Sequence, residues 1–226
     1  MLVAISAVLT AEEVRTLRAR LATAVWADGR QTAGYRSAEV KNNLQVPQSD
    51  PAAAQAAEQV LRALERNATF VSAALPQHVY PPLFNRYQTG MGFGSHIDNA
   101  VRQIPGTAHR LRTDVSATLF LSAPEEYEGG ELVIEDVYGE HRVKLPAGDM
   151  VVYPSGSLHR VQPVTRGARD AAFFWIQSMV RDEGARALLY DLDVSIRELT
   201  ARGADPDCLL RLTGCYHNLI RRWADL

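Results

Sequence analysis

At 226 residues the chain is long enough for one domain with a sizeable core and too short for two full ones. Its 24 Lys and Arg against 26 Asp and Glu leave a formal charge of −2, so electrostatics offer no case for nucleic acid or a membrane surface as partner. The apolar residues 1–6 lack a positive flank and soon meet Glu12, Glu13 and Arg15, unlike a secretory leader, and no run approaches the roughly eighteen apolar residues of a membrane helix.

Residues 2–6 predict a short edge strand. Thr10 and Glu13 then form a capping box, with Leu9 and Val14 placed as a hydrophobic staple. Val14, Leu17, Leu21 and Val25 give one helical face, which Asp28-Gly29 stops. Residues 41–46 read as a strand. Asp50-Pro51 opens a second helix that runs through Val60, Leu61, Leu64 and Ala68 and ends before Pro76.

From Tyr80 to Val180 the chain breaks into short segments rich in Val, Phe, Tyr and Thr, separated by Gly, Pro and acidic turns. Residues 113–121 alternate, with Val115, Ala117, Leu119 and Leu121 on one face. Further strands are expected at 131–134, 141–145 and 150–153. Two more, 158–164 and 169–180, are expected to be joined by a turn at 165–168, which would set His159 and Arg169 on adjacent antiparallel strands. Strands at this spacing point to an α+β fold built on a double-stranded β-helix, the jelly-roll barrel of cupin type, with N- and C-terminal helices packed around it. With no repeat and no linker, residues 1–226 read as a single catalytic domain: N-terminal helical support (1–77), the jelly-roll core (78–180) and C-terminal helices (181–226).

In the tail, Leu188, Leu189, Leu192, Ile196 and Leu199 share a helical face and Gly203 caps it. Asp205-Pro206 opens a last helix with a stripe of Leu209, Leu212, Tyr216, Leu219 and Trp223. That pair of helices either covers the barrel or forms the interface of a homo-oligomer. Cys208 and Cys215 match no metal spacing and read as reduced, half-buried residues of a cytoplasmic protein.

The chemistry centres on His96-Ile97-Asp98. Residues two apart on a strand point the same way, so one imidazole and one carboxylate can grip a single ion. Two histidines and a carboxylate with open positions suit non-haem iron. Of the six histidines, His159 is best placed as the third ligand, while His78, His109, His141 and His217 read as surface or packing residues. The glycines at 90, 92 and 94 do not form a phosphate-binding pattern and read as a bend that lets backbone approach the site. Arg169 opens the most apolar strand of the chain, where an unpaired charge is costly, and its guanidinium fork suits a carboxylate.

The ordered set of Tyr87, His96-x-Asp98, Gly129-Gly130-Glu131-Leu132, Gly148-Asp149, His159, Pro163-Val164-x-x-Gly167-x-Arg169 and Trp175 resembles the iron(II)- and 2-oxoglutarate-dependent dioxygenases of the prolyl 4-hydroxylase-like superfamily. With the tail from Tyr216 to Trp223, the chain is closer still to the bacterial PKHD-type hydroxylases, and the resemblance spans most of residues 80–226. It implies His96, Asp98 and His159 as iron(II) ligands and Arg169 as anchor for the far carboxylate of 2-oxoglutarate. Tyr87 is implied either as a second donor to that cosubstrate or as a core tyrosine. It further implies O2 as co-reactant, succinate as product, L-ascorbate as reductant, and a small-molecule or peptide substrate, siderophore-related by family habit. Lysine stands at the position of Arg169 in prolyl 4-hydroxylases proper, which argues against a collagen-like substrate. Substrate would enter past residues 99–113, with Arg102, Arg110 and Arg112, and past Lys41, Asn42 and Asn43. The residues alone also admit a cupin-like metal enzyme without 2-oxoglutarate, or a non-catalytic iron or 2-oxoglutarate sensor.

Overall fold

Two antiparallel sheets carry the fold in the computed structural model, which describes residues 1–32 and 34–226. The N-terminal third supplies β1 (Val3–Ile5), α1 (Ala11–Leu21), β2 (Ala27–Asp28), α2 (Tyr35–Glu39), β3 (Lys41–Asn42), β4 (Leu44–Gln45), α3 (Pro51–Glu65) and α4 (Ala68–Ala74). The middle is strand: β5 (Pro76–Val79), β6 (Leu83–Gln88), β7 (Gly92–His96), β8 (Val101–Gln103), β9 (Arg110–Arg112) and β10 (Val115–Phe120). It continues through β11 (Tyr127–Gly129), β12 (Leu132–Asp136), β13 (Gly139–Val143), β14 (Met150–Pro154), β15 (His159–Val161) and β16 (Val164–Ser178). Two helices, α5 (Glu183–Ala201) and α6 (Pro206–Trp223), close the chain.

The major sheet runs β1-β14-β10-β16-β6-β4-β2, with β11 and β5 paired to β16 as well. The minor sheet runs β13-β12-β15-β7-β3, and β8 and β9 make a separate hairpin. This is the expected jelly roll. Its major sheet is buried on both faces. Val115, Ala117, Leu119 and Leu121 of the β10 region join Leu17, Val60, Leu64 and Phe70 in a core between sheet and helices. On the other face Phe120 and Val151 meet Leu132, Ile134 and Val161 of the minor sheet. Each fully buried Leu or Phe contributes on the order of 1.5–3 kcal/mol, so the helices and the second sheet are both needed to cover the first.

Several elements differ from the expectation. The capping box at Thr10 forms, yet α1 ends at Leu21 rather than Asp28; beyond it the Thr23 hydroxyl bonds the Arg20 carbonyl (2.8 Å) and Val25 is 75 % exposed. The helix begun at Pro51 stops at Glu65, and the Asn67 side chain accepts from the Phe70 N–H (2.9 Å) to start α4 afresh. Residues 41–46 divide between the sheets: β3 pairs with β7, and β4 pairs with β6. The N-terminal segment therefore adds strands to both sheets as well as helices.

The turn expected at 165–168 is absent. Residues 164–167 are held in a ladder against β11, so β16 runs on through them, with only Gly167 at φ 77°. No reversal takes its place: β15 pairs with β12 and the start of β16 with β11, so the chain keeps its direction past Gln162-Pro163, where it crosses from the minor to the major sheet. His159 and Arg169 consequently sit on different sheets and not on adjacent strands. Likewise Gly92 and Gly94 lie within β7 rather than in a bend; a Cβ on Gly92 would stand 3.0 Å from the Val161 carbonyl oxygen.

In the tail, Ala185, Arg186 and Leu189 define the buried face of α5, leaving Leu188 62 % exposed. Tyr216, Leu219 and Trp223 of α6 pack on Leu75, Val180, Ala185 and Leu189, so the stripe serves as cover. Cys208 is half-buried as expected, but Cys215 is exposed.

One glycine marks the crossover. Gly129 has φ 68°, and a Cβ there would lie 2.2 Å from the Pro163 carbonyl oxygen. Gly129→Ala should lower unfolding free energy by about 2–4 kcal/mol, combining left-handed strain with a backbone clash. Urea melts will check this against Gly156→Ala, whose surroundings are open and whose change should stay within about 0.5 kcal/mol.

Candidate active site

β7 and β15 lie side by side in the minor sheet with His96 directly opposite His159. Asp98 follows the end of β7, and its Oδ2 comes within 3.8 Å of His159 Nε2. One ligand atom from each of the three residues lies within 4.8 Å of the others, the one such grouping of His, Cys, Asp or Glu among the described residues. The other histidines stand apart. His78 and His109 meet edge-on at 4.6 Å, His141 bonds Asp136 on an exposed hairpin, and His217 lies on the surface of α6 beside Tyr216.

The strand backbone also sets the rings. His96 Nδ1 is 2.8 Å from the Gly94 carbonyl and His159 Nδ1 is 3.0 Å from that of Ser157. A carbonyl only accepts, so each Nδ1 carries the proton and each Nε2 lone pair is left free. Phe93 stacks on His96 at 3.6 Å, and Tyr153 meets His159 edge-on at 5.2 Å. Burial, followed by the neighbouring His159, pushes His96 down to about 4, so its ring is neutral at pH 7. The Ser116 hydroxyl donates to Asp98 Oδ2 at 2.6 Å and lies 2.8 Å from the Ser155 hydroxyl, which fixes the carboxylate. Two neutral imidazoles and one oriented carboxylate are a donor set that fits iron(II).

Across the gap, β16 pairs with β6 so that Arg169 faces Tyr87 and Asp170 faces Arg86. Alternation sends the first pair between the sheets and the second to the opposite face. There Arg86 grips Asp170 through two bonds of 2.7 Å. Among the described residues Arg169 has no carboxylate partner, although it is only 1 % exposed and its Nε makes no hydrogen bond there. Its guanidinium rests 5.1 Å from the Phe120 ring and 5.4 Å from that of Tyr87. Burial pushes the Tyr87 phenol up to about 12, so it remains a neutral O–H. A buried cation lacking an anion is costly, and the arrangement can receive a carboxylate.

A single cavity of about 720 Å³, counting its open mouth, is lined by His96, Asp98, His159, Tyr87 and Arg169. Asn99, Arg102, Lys41 and Asn43 line it too, as expected of their loops, whereas Arg112 is held outside by Asp114 at 2.6 Å. Lys41 is 5 % exposed and bonds Thr32 Oγ1 (3.0 Å) and Gln45 Oε1 (3.1 Å). Burial, then nearby Arg102, pushes its ammonium down to about 8. Sequence reasoning missed Ser116, Thr118, Asn85 and Tyr153 as lining residues. A signal existed for three of them. Ser116 and Thr118 interleave with the apolar face of β10, and Asn85 precedes Tyr87 by two, so each is polar on a strand face that looks inward.

A family model of the 2OG-Fe(II) oxygenase superfamily matches residues 82–177, and one of the PKHD-type hydroxylase C-terminal domain matches residues 183–225. Fold and matches together define an iron(II)- and 2-oxoglutarate-dependent dioxygenase. In solved structures the fold recurs in a prolyl hydroxylase from Trichoplax adhaerens, solved with a hypoxia inducible factor peptide fragment. That likeness has TM-score 0.59 at 14 % identity, covering 83 % of this chain and 86 % of the other. It recurs in HygX of Streptomyces hygroscopicus, solved with nickel and 2-oxoglutarate, with TM-score 0.52 at 15 % identity over 78 % and 82 % of the two chains. A PKHD-type hydroxylase of Burkholderia ambifaria is 60 % identical over 227 residues, the full length of both chains. The chain belongs to the PKHD-type hydroxylase family. It is an enzyme using iron(II) and 2-oxoglutarate, which sets aside both the cupin-like alternative and the non-catalytic sensor.

The two arginines on β6 and β16 should respond oppositely to removal. Arg169→Met exchanges an unpartnered buried cation for an apolar chain and should hold or raise the denaturation midpoint of metal-free protein. Arg86→Ala strands the Asp170 carboxylate and should cost about 2–4 kcal/mol in the same melts.

Proposed function

We propose that His96, Asp98 and His159 hold the iron, that Arg169 binds the far carboxylate of 2-oxoglutarate, and that the whole chain works as one catalytic domain hydroxylating a small molecule or peptide. One observation carries this reading. The three-ligand cluster and the unpartnered, buried Arg169 open into the same cavity from opposite sheets.

When bound, the metal with 2-oxoglutarate and O2 supplies the oxidising chemistry, releasing succinate and carbon dioxide. The residues present each side of it in a fixed state. Gly94 and Ser157 carbonyls hold the Nδ1 protons, so both Nε2 atoms are available as ligands. Ser116 keeps the Asp98 carboxylate from rotating. Phe93 and Tyr153 flank the rings and exclude water from that side. Arg169 would form a charge-assisted, two-pronged bond to the cosubstrate, with the neutral Tyr87 hydroxyl beside it. Asn99, Arg102 and Lys41 then border the route for substrate.

Structural neighbours support the breadth of substrate: the Trichoplax adhaerens protein was solved with a peptide, and HygX also with hygromycin B. A siderophore-related substrate is supported by the family resemblance alone. The family resemblance supports L-ascorbate as reductant and a cytoplasmic location; no helix among the described residues is long and apolar enough to cross a membrane. The surface left for self-association through the tail helices is that of Leu188 and Leu210, which stay 62 % and 72 % exposed. Leu188→Glu with Leu210→Glu should then lower the sedimentation coefficient; an unchanged value removes that interface.

His159→Ala should lose most of its iron affinity while the strands stay folded, read by metal titration alongside circular dichroism. Arg169→Ala should keep the metal yet weaken 2-oxoglutarate about 30- to 1000-fold, from the roughly 2–4 kcal/mol carried by a buried charge-assisted contact. Arg169→Lys should recover part of that loss, because the charge survives while the fork does not. Anaerobic titration of the iron(II) protein with 2-oxoglutarate, followed by the metal-to-ligand charge-transfer band, measures both Arg169 variants. An unaltered titration in Arg169→Ala would remove the cosubstrate assignment.

A further inference from the structure

Two cations at the cavity mouth have no role in the chemistry described so far. Among the described residues, neither Lys41 nor Arg102 has a carboxylate within ion-pair distance, whereas Arg18, Arg86, Arg112 and Arg160 each have one. Charge balance sharpens the point. Asp98 and Arg169 offset one another, and iron(II) offsets the 2-oxoglutarate dianion. Lys41 and Arg102 are then left over, two positive charges in one cavity with nothing opposite.

Their placement is built. Lys41 Nζ bonds Thr32 Oγ1 at 3.0 Å and Arg102 Nη2 bonds the Thr32 carbonyl at 3.4 Å, so a single residue draws both cations together. Aromatic faces back each of them. Arg102 lies 3.8 Å from the Trp175 ring and 5.4 Å from Tyr80, and Lys41 lies 5.3 Å from Phe93 and 5.7 Å from Phe173. A π face attracts a cation without neutralising it. Phe93 also stacks on His96, so this cradle adjoins the metal-ligating cluster. Like charges drawn together at a half-buried mouth repel and weaken the fold, which argues against a purely structural purpose.

We propose that Lys41 and Arg102 form an oxyanion subsite, and that the molecule hydroxylated here carries a carboxylate or phosphate-type group held there while an adjacent carbon faces His96, Asp98 and His159. This rests on the site reading given above and names the substrate class for it: an anionic compound, bound by a charge that 2-oxoglutarate does not satisfy.

The test uses the full-length protein loaded with zinc(II), which supports no turnover, and saturated with 2-oxoglutarate so that Arg169 is occupied. Benzoate, phenyl phosphate and benzamide are titrated as probes that share one ring, followed by ligand-observed NMR and by the Arg102 Nε–H signal. At least one anion should bind roughly tenfold or more tightly than benzamide and move the Arg102 signal, and the tighter of the two identifies the oxyanion. Lys41→Met and Arg102→Gln should each weaken that anion roughly tenfold or more, leaving benzamide unaffected and the 2-oxoglutarate constant within about twofold. Should Lys41→Met fail to fold, Arg102→Gln on its surface hairpin decides the matter alone. Equal binding of benzoate, phenyl phosphate and benzamide overturns the subsite, as does anion binding indifferent to the substitutions. A loss of 2-oxoglutarate affinity in these variants overturns it too, by giving the pair to the cosubstrate. The Arg169→Ala titration judges the underlying site reading separately, so failure of one is distinguishable from failure of the other.

Discussion

The alternation of β16 is the constraint on which the rest depends. This strand pairs with β10, β6, β11 and β5, and every second side chain from Arg169 onward points between the sheets. Arg169 stands on its inner face near one end; Trp175, six residues on and therefore on the same face, backs Arg102 at the mouth. A slip of one residue would turn Arg169 outward and bring Asp170 in, reversing the charge of the cavity. The Arg86–Asp170 pair on the opposite face opposes that slip, because the wrong register would break it and bury the Asp170 carboxylate without its cation.

Charge is handled differently in different parts of the molecule. On the outer surfaces a number of arginines sit in ion pairs, such as Arg18–Glu126 and Arg160–Glu135. Inside the cavity the matching stops. Arg169, Arg102 and Lys41 all face an interior whose one carboxylate among the described residues, Asp98, is bonded by Ser116 and lies close to the two histidines. Such an interior is poor for stability and good for binding, since each unsatisfied charge is a preference for a ligand that brings its opposite. The fold supports the cost through the dense helix-covered core on the far side of the major sheet.

The minor sheet does a different job. It is short, and its central strands place His96 and His159 opposite one another while their own carbonyls fix the imidazole tautomers. The close contact of Gly92 with the Val161 carbonyl allows β7 and β15 to come together at that point. The spacing of His96 and His159 and the register of β7 with β15 are thus one property here, and a change in either disturbs the other.

By itself the sequence determined the local rules: the helix starts at Thr10, Asp50 and Asp205, the alternation of β10, the His96-x-Asp98 pair, and the oddity of a charge at Arg169 in an apolar strand. These follow from residue type and spacing within a few positions, where backbone geometry leaves little choice. What lay beyond reach was long-range. The sequence could not show that Asp170 is spent on Arg86, leaving Arg169 free, because that depends on the register of two strands 84 residues apart. The break between α3 and α4 and the continuous run of β16 through Gly167 were decided by pairing partners and caps that compete with local propensity. The meeting of Lys41 and Arg102 around Thr32 was decided the same way, across two strands too short for any periodicity to betray it. Spacing along a chain constrains which face a side chain occupies; only the packed sheets determine what it finds there.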